Sequence, residues 1–124
     1  MGVLLIRIAV VYLVVGAVLG FTMGILQKFS LQPVHAHLLL AGWATLGLAG
    51  IIYHLHPAAA VTRLARWHFW LHNLGLPVFM AALGAALLTG REELVPVIAA
   101  GATVLLAGLV TFAANVLLNV RTPR

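Results

Sequence analysis

Four apolar runs of about 20 residues or more, separated by short polar turns, leave this chain few ways to fold. A segment surrounded by lipid has to satisfy its own backbone, and a helix does so within a single run. About 20 residues at about 1.5 Å each are enough to cross the hydrocarbon core. The runs cover about residues 3–28, 34–55, 63–88 and 94–120. They are divided by a turn from Phe29 to Gln32 ahead of Pro33, by Pro57 with a connector from Ala58 to about Thr62, and by a polar turn from Thr89 to Glu93. Connections this short make successive helices antiparallel neighbours. The expected fold is all-α: an integral-membrane four-helix bundle, up-down-up-down, with residues 1–124 as a single transmembrane domain. Only 7% of the residues are charged, against about 25% in a soluble domain, so the lipid bilayer is the expected surrounding. The first run is longer than the ~7 to 15 residues of a signal-peptide core and shows no clear cleavage site, which reads as a retained helix.

The charges sort by position. The formal net charge is +5, but the basic residues fall singly at the ends of the apolar runs and form no patch that would bind nucleic acid. Arg7, Arg63, Arg66, Arg121 and Arg124 fall on one side of the expected bundle. Lys28 and Arg91 fall on the other, with Arg91 beside Glu92 and Glu93. The excess of basic residues on the first side predicts that both termini are cytoplasmic, in a membrane of the bacterial inner type. With no cysteine, the chain can form neither disulfides, thiolate metal sites, iron–sulfur clusters nor the covalent attachment of a c-type haem.

Histidines inside such spans point to function, because an imidazole in hydrocarbon is unfavourable unless paired or ligated. His35 and His37 stand near the start of the second run, and His54 and His56 near its end. On a regular helix His35 and His37 point roughly 200° apart, so they cannot share an ion but can each face a different planar ligand. The His35 face continues through Leu39, Gly42 and Leu46, and the His37 face through Ala41, Ala44 and Leu48. Small residues on each face would let a flat group, or another helix, lie close to the backbone. Axial imidazoles of this kind hold a b-type haem without a covalent link. Pro57 disfavours helix at His56, so the YHLHP end is expected to unwind and let His54 and His56 converge. With His68 and His72, one turn apart on the third run, they make a candidate second site for copper or zinc. Gly16, Gly20 and Gly24 form a stripe on the first run suited to close helix contact, and Pro77 is expected to kink the third.

At His35, His37, Gly42, Trp43, Tyr53 and Pro57 the second run resembles a helix of the catalytic subunit of the haem–copper oxidases, nearest to the C-family cbb-type oxidases and the related nitric oxide reductases. The third run continues the resemblance in the same order, with Trp67, His68, Phe69, Trp70, Leu71 and Gly75 matching the opening of the family's next helix. The likeness covers about Pro33 to Leu87 and would make the chain a counterpart of the last four helices of that subunit. It implies that His35 corresponds to the proximal ligand of a high-spin haem and His37 to a ligand of a low-spin haem, with Gly42 and Trp43 in the same cofactor-binding surface. The family's other low-spin ligand, its copper-ligating histidines and its cross-linked tyrosine lie on helices that have no match here.

The expected function is a b-type haem-binding membrane protein that transfers electrons or binds a diatomic gas such as O2 or NO, without a copper centre and short of a complete oxidase or reductase. The alternative is a non-redox metal-handling protein or an accessory or assembly subunit. In a regular hairpin His37 would lie opposite about Gly84, leaving His72 roughly 18 Å away along the axis. A second axial ligand is therefore expected from another copy of the chain, in a homo-oligomer that shares haem between protomers.

Overall fold

The computed structural model describes residues 1–121; Arg124, counted above among the basic residues of the terminal side, lies outside the described residues. Four helices are long and apolar enough to cross a membrane: α1 (Gly2–Leu26), α2 (Gln32–Leu55), α3 (Arg63–Thr89) and α4 (Val95–Asn119). The chain is an all-α bundle, as its apolar runs predict. Local chemistry sets the ends. Gln27 closes α1 in the left-handed conformation (φ 51°), with its backbone N–H on the Met23 carbonyl. Pro33 sits in the first turn of α2, where its missing N–H costs nothing. Thr62 caps α3 by accepting the Ala65 N–H (3.0 Å), and Gly90 ends it at φ 69°. At His56 the backbone leaves the helix (φ −123°, ψ 73°) just before Pro57, and Pro57–Ala60 forms a single helical turn. α3 continues as helix through Pro77.

Each neighbouring pair is antiparallel. Gly2 lies against Gly50 and His54 while Gly20 lies against His35, which fixes α1 beside α2. Tyr53 reaches His68 while His37 reaches Phe79, which fixes α2 beside α3. Gly75 lies against Leu105 and Gly101 against Phe79, which fixes α3 beside α4. The α3–α4 seam is the tightest in backbone terms: a Cβ on Gly75 would stand 2.5 Å from the Leu105 backbone nitrogen, and one on Gly101 2.6 Å from that of Phe79. Small residues bring helices together in lipid because dispersion contact then replaces the missing hydrophobic drive. The outward faces are aliphatic or aromatic, as at Val11, Phe21 and Leu117 (61%, 71% and 83% exposed), which suits lipid and would not suit water.

Two apolar clusters fill the interior. Leu5, Ala9, Leu46, Ala49, Tyr53, Ala59 and Ala65 pack at the end that holds the chain termini. Val34, Leu38, Ala41, Leu76, Met80 and Leu105 pack toward the other end. From the second cluster, which includes Leu38 and Ala41, up to Leu46 of the first, α2 departs from regularity, with residues Leu38–Thr45 forming a π-helix. The Thr45 hydroxyl donates to the carbonyl of Leu40, five residues back, across the widened turn (2.8 Å). Wide turns of this sort inside helices recur at functional sites.

On the first helix, Gly16 and Gly20 pack against Leu38, Leu39 and His35 of the same chain, whereas Gly24 has nothing within 4 Å. Gly75→Ala and Gly101→Ala should therefore each lower stability by about 1–3 kcal/mol, because backbone atoms of the partner helix stand in the way. Gly24→Ala should be neutral or slightly stabilising. Thermal unfolding of the three variants in detergent tests this, and a raised melting temperature for Gly75→Ala would contradict it.

Candidate functional site

His35 and His37 are both half-buried near the start of α2 and point to different neighbours. His35 Nδ1 is 2.8 Å from the carbonyl oxygen of Gly16 on α1, and the ring lies over Gly20, where a Cβ would come within 2.5 Å of its Cε1. His37 Nδ1 is 2.7 Å from the carbonyl of Pro33, one turn back on its own helix, and its ring meets Phe79 of α3 edge-on at 5.1 Å. A carbonyl only accepts, so Nδ1 is the protonated nitrogen in each ring. The lone pair of the neutral imidazole is then on Nε2. Neither Nε2 has a hydrogen-bond partner among the described residues, and neither is sealed inside the bundle. Metal-ligating histidines are commonly held this way, with the second nitrogen on a backbone carbonyl.

The two faces differ in what covers them. On the His35 side α1 closes the surface: Leu39 packs on Gly16, and a Cβ on Gly42 would fall 2.5 Å from Cγ of Tyr12. Gly42, expected in a cofactor surface, is thus the seat of the Tyr12 ring. On the outward side of α2, Leu40, Trp43, Ala44 and Leu48 are exposed. Trp43 there lines a shallow groove of about 250 Å³ with Ile6, Ala44, Gly47, Leu48 and Ile51.

The four remaining histidines do not come together. His54 is exposed, His56 is half-buried, and His68 and His72 are fully buried on α3. Among the described residues no group of three or more His, Cys, Asp or Glu side chains is placed to hold one metal ion. The copper or zinc site expected from His54, His56, His68 and His72 is not assembled: leaving the helix at His56 does not bring that residue and His54 to the buried pair. The relation of His72 to His37 also differs from the expected one. Gly84 stands beside Val34 and Leu31, and His37 meets Phe79, five residues earlier on α3 than Gly84. The π turns pack more residues into each turn, so the start of α2 sits less far along the axis than a regular helix would carry it. His72 accordingly reaches the carbonyl of Ala41, one turn from His37 (2.9 Å). It is still no iron ligand, because both of its ring nitrogens are engaged.

What those buried groups form is a directed hydrogen-bond chain. His72 donates from Nε2 to Ala41, so its Nδ1 accepts from His68 Nε2 (3.3 Å). His68 Nδ1 then accepts from the Tyr53 hydroxyl (3.1 Å), whose oxygen accepts from Asn115 Nδ2 (3.2 Å). Asn115 Nδ2 also donates to the Ala59 carbonyl (3.0 Å), which fixes the amide orientation. Its Oδ1 accepts from the Thr62 hydroxyl and from Asn119 Nδ2, both at 2.8 Å. With every group neutral each donor meets an acceptor, and no buried side-chain nitrogen or oxygen among the described residues is left without a partner.

No protein-family model matches the chain significantly, and neither does any curated protein or solved structure.

Among the described residues, four that carry polar side-chain groups, Tyr53, His68, His72 and Asn115, are almost wholly inaccessible. Sequence reasoning set the histidines in a metal site and left Tyr53 and Asn115 without a role. The signal that was available is their type: a tyrosine, two histidines at i, i+4 and an asparagine within apolar spans each need an internal partner. Tyr53→Phe strands the acceptor at His68 Nδ1 and should cost about 1–3 kcal/mol. In a double-mutant cycle with His68→Leu the two losses should be non-additive by about 0.5–3 kcal/mol. Additive losses in unfolding measurements would show that the two side chains do not act as a unit.

Proposed function

We propose that this chain is a b-type haem-binding membrane protein related to the catalytic subunit of the haem–copper oxidases, with His37 as an axial ligand. The observation that carries the reading is the fixing of His37 Nδ1 on the Pro33 carbonyl, which leaves an unpaired Nε2 on a helix whose outward side is open at Leu40, Trp43, Ala44 and Leu48. The donor is of the right kind for iron, and the apolar exposed side chains beside it suit a porphyrin face. His35 carries the same type of anchor but lies on Gly20 with α1 against it, which leaves no width for a porphyrin between the helices. Its contribution is to hold α1 against α2. Held there, haem b would supply one-electron chemistry or a binding site for O2 or NO. The protein's part is to orient the imidazole and exclude water.

A bis-histidine iron needs a second imidazole, and the other histidines near this depth do not offer one on the same side: His35 faces α1, and both ring nitrogens of His72 are engaged. A second copy presenting the same face of α2 across a two-fold axis would supply the partner's His37 at matching depth, in a self-complementary interface. A shared haem would then stabilise the dimer by mass action. The test is the visible spectrum of the detergent-purified protein, with haem-to-protein ratio and oligomer mass for wild type, His37→Ala, His35→Ala and the His54→Ala/His56→Ala pair. A Soret band with reducible α and β bands is expected. His37→Ala should lose haem and dimer together, and the His54→Ala/His56→Ala pair should leave the spectrum unchanged, since it lies at the other end of α2, on the order of 20–25 Å away. A folded wild-type protein that takes up no haem would sink the reading in favour of a non-redox accessory subunit. A wild-type monomer with a full complement of six-coordinate haem would sink the shared ligation.

Orientation belongs to the same proposal. Arg7, Arg63, Arg66 and Arg121 gather at the end that holds the termini, and Glu92 and Glu93 at the opposite end, which favours cytoplasmic termini in a bacterial-type inner membrane. A topology reporter fused after Arg124 should be active only as a cytoplasmic fusion; periplasmic activity would invert the arrangement.

A further inference from the structure

The first two turns of α3 carry a feature that neither the haem reading nor the buried chain uses. Arg63, Arg66, Trp67 and Trp70 line a shallow surface groove of about 520 Å³. Arg63 and Trp67 are four residues apart, as are Arg66 and Trp70, so on a helix each guanidinium sits one turn from an indole on the same side. Both indoles face outward, 63% and 59% exposed. The chain has only two acidic side chains, Glu92 and Glu93, and both stand at the opposite end of the bundle. Glu93 is there paired with Arg91 at 2.9 Å. No side-chain carboxylate is therefore available to balance Arg63 and Arg66. A groove with two guanidinium groups and no acid of its own is complementary to an anion.

The surface beyond the arginines identifies the kind of anion. Along the same side of α3 the exposed residues continue as Trp70, Leu74 and Val78. Leu74 and Val78 form a second groove of about 240 Å³ with Gly75, Ala100, Gly101 and Val104, between α3 and α4. From Trp70 to Val78 is about 12 Å at about 1.5 Å per residue, within the depth of about 15 Å of one leaflet. The sequence of surfaces is thus cationic, then aromatic, then apolar and grooved, in the order of a phospholipid's phosphate, glycerol backbone and acyl chain. Indoles prefer the headgroup level, and arginine binds phosphate through paired N–H donors.

We propose that Arg63, Arg66, Trp67 and Trp70 form a binding site for an anionic glycerophospholipid, whose phosphate lies on the two guanidinium groups and one of whose acyl chains runs along Leu74 and Val78 between α3 and α4. An aromatic belt by itself is indifferent to headgroup charge, and this site is not. The site selects phosphatidylglycerol over phosphatidylcholine, and inorganic phosphate, which has no chain to fill the groove, does not compete at millimolar concentration.

The experiment uses the full chain carrying Trp43→Phe, so that only Trp67 and Trp70 report, reconstituted in phosphatidylcholine vesicles. Phosphatidylglycerol or phosphatidylcholine brominated near the headgroup end of the acyl chain is titrated in, and indole quenching is read. Quenching by the brominated phosphatidylglycerol should reach half its maximum at a lipid fraction on the order of tenfold lower than for phosphatidylcholine, since each arginine near the surface favours an anionic lipid. The Arg63→Gln/Arg66→Gln variant should quench equally with both lipids, and rising salt should narrow the wild-type difference. Both arginines are exposed and make no contact in the buried chain, so this variant should keep its helical circular dichroism; if it does not, the salt series on the unaltered arginines decides. Equal quenching by the two lipids with Arg63 and Arg66 intact, or a preference that survives their replacement in folded protein, would overturn the proposal. Relief of quenching by inorganic phosphate would overturn the lipid as the occupant.

Discussion

The arrangement depends on the need to pair polar groups inside an apolar bundle. Tyr53, His68, His72 and Asn115 are fully enclosed, and each would be costly in hydrocarbon without a partner. The chain that runs from Asn115 through Tyr53, His68 and His72 to the Ala41 carbonyl has one consistent donor order. It ties α2, α3 and α4 at fixed heights, because sliding any helix by a turn would strand several groups at once. Apolar packing does not choose a register so sharply, since one aliphatic contact substitutes well for another. The small residues supply proximity, and the polar chain supplies position.

The π-helix in α2 links that interior to the surface. It lies between His37 and the buried end of the chain, and the carbonyl that His72 uses is within it. Its smaller advance per residue is in the direction that brings Phe79, rather than Gly84, to His37. The same irregular segment thus carries exposed side chains at Leu40, Trp43 and Ala44 and the carbonyl that His72 uses. His35 completes the frame by fastening α1 through the Gly16 carbonyl.

Four helices, their ends and their alternation were legible in the sequence, because run length, Pro33, Pro57 and the polar turn at Thr89–Glu93 act locally. The nearly opposite directions of His35 and His37 were legible for the same reason. The π segment was not, since nothing in LLLAGWAT marks a widened turn and the groups that meet it, Tyr12 at Gly42 and His72 at the Ala41 carbonyl, come from other helices. His68 and His72 were misgrouped because spacing along α3 places them together but says nothing of Tyr53 on α2, which reaches His68, or of Asn115 on α4, which reaches Tyr53. Gly42 read as room for a cofactor, yet a side chain 30 positions away fills that room. Such long-range partners carry no periodicity.

The division of the polar chain between the two halves of the molecule bears on how it is made. The ribosome delivers α1 and α2 first, as a hairpin that can close on Gly2, Gly16 and Gly20 without help. At that moment the Tyr53 hydroxyl has no histidine to donate to, and Asn115 has not been synthesised. The early hairpin thus enters the bilayer with a hydroxyl group still in need of water or lipid headgroups, which keeps its inner end near the interface. Arrival of α3 and α4 withdraws that group from water and seats the second hairpin against the first. The fourth helix then acts as a latch, supplying the amide that closes the polar chain.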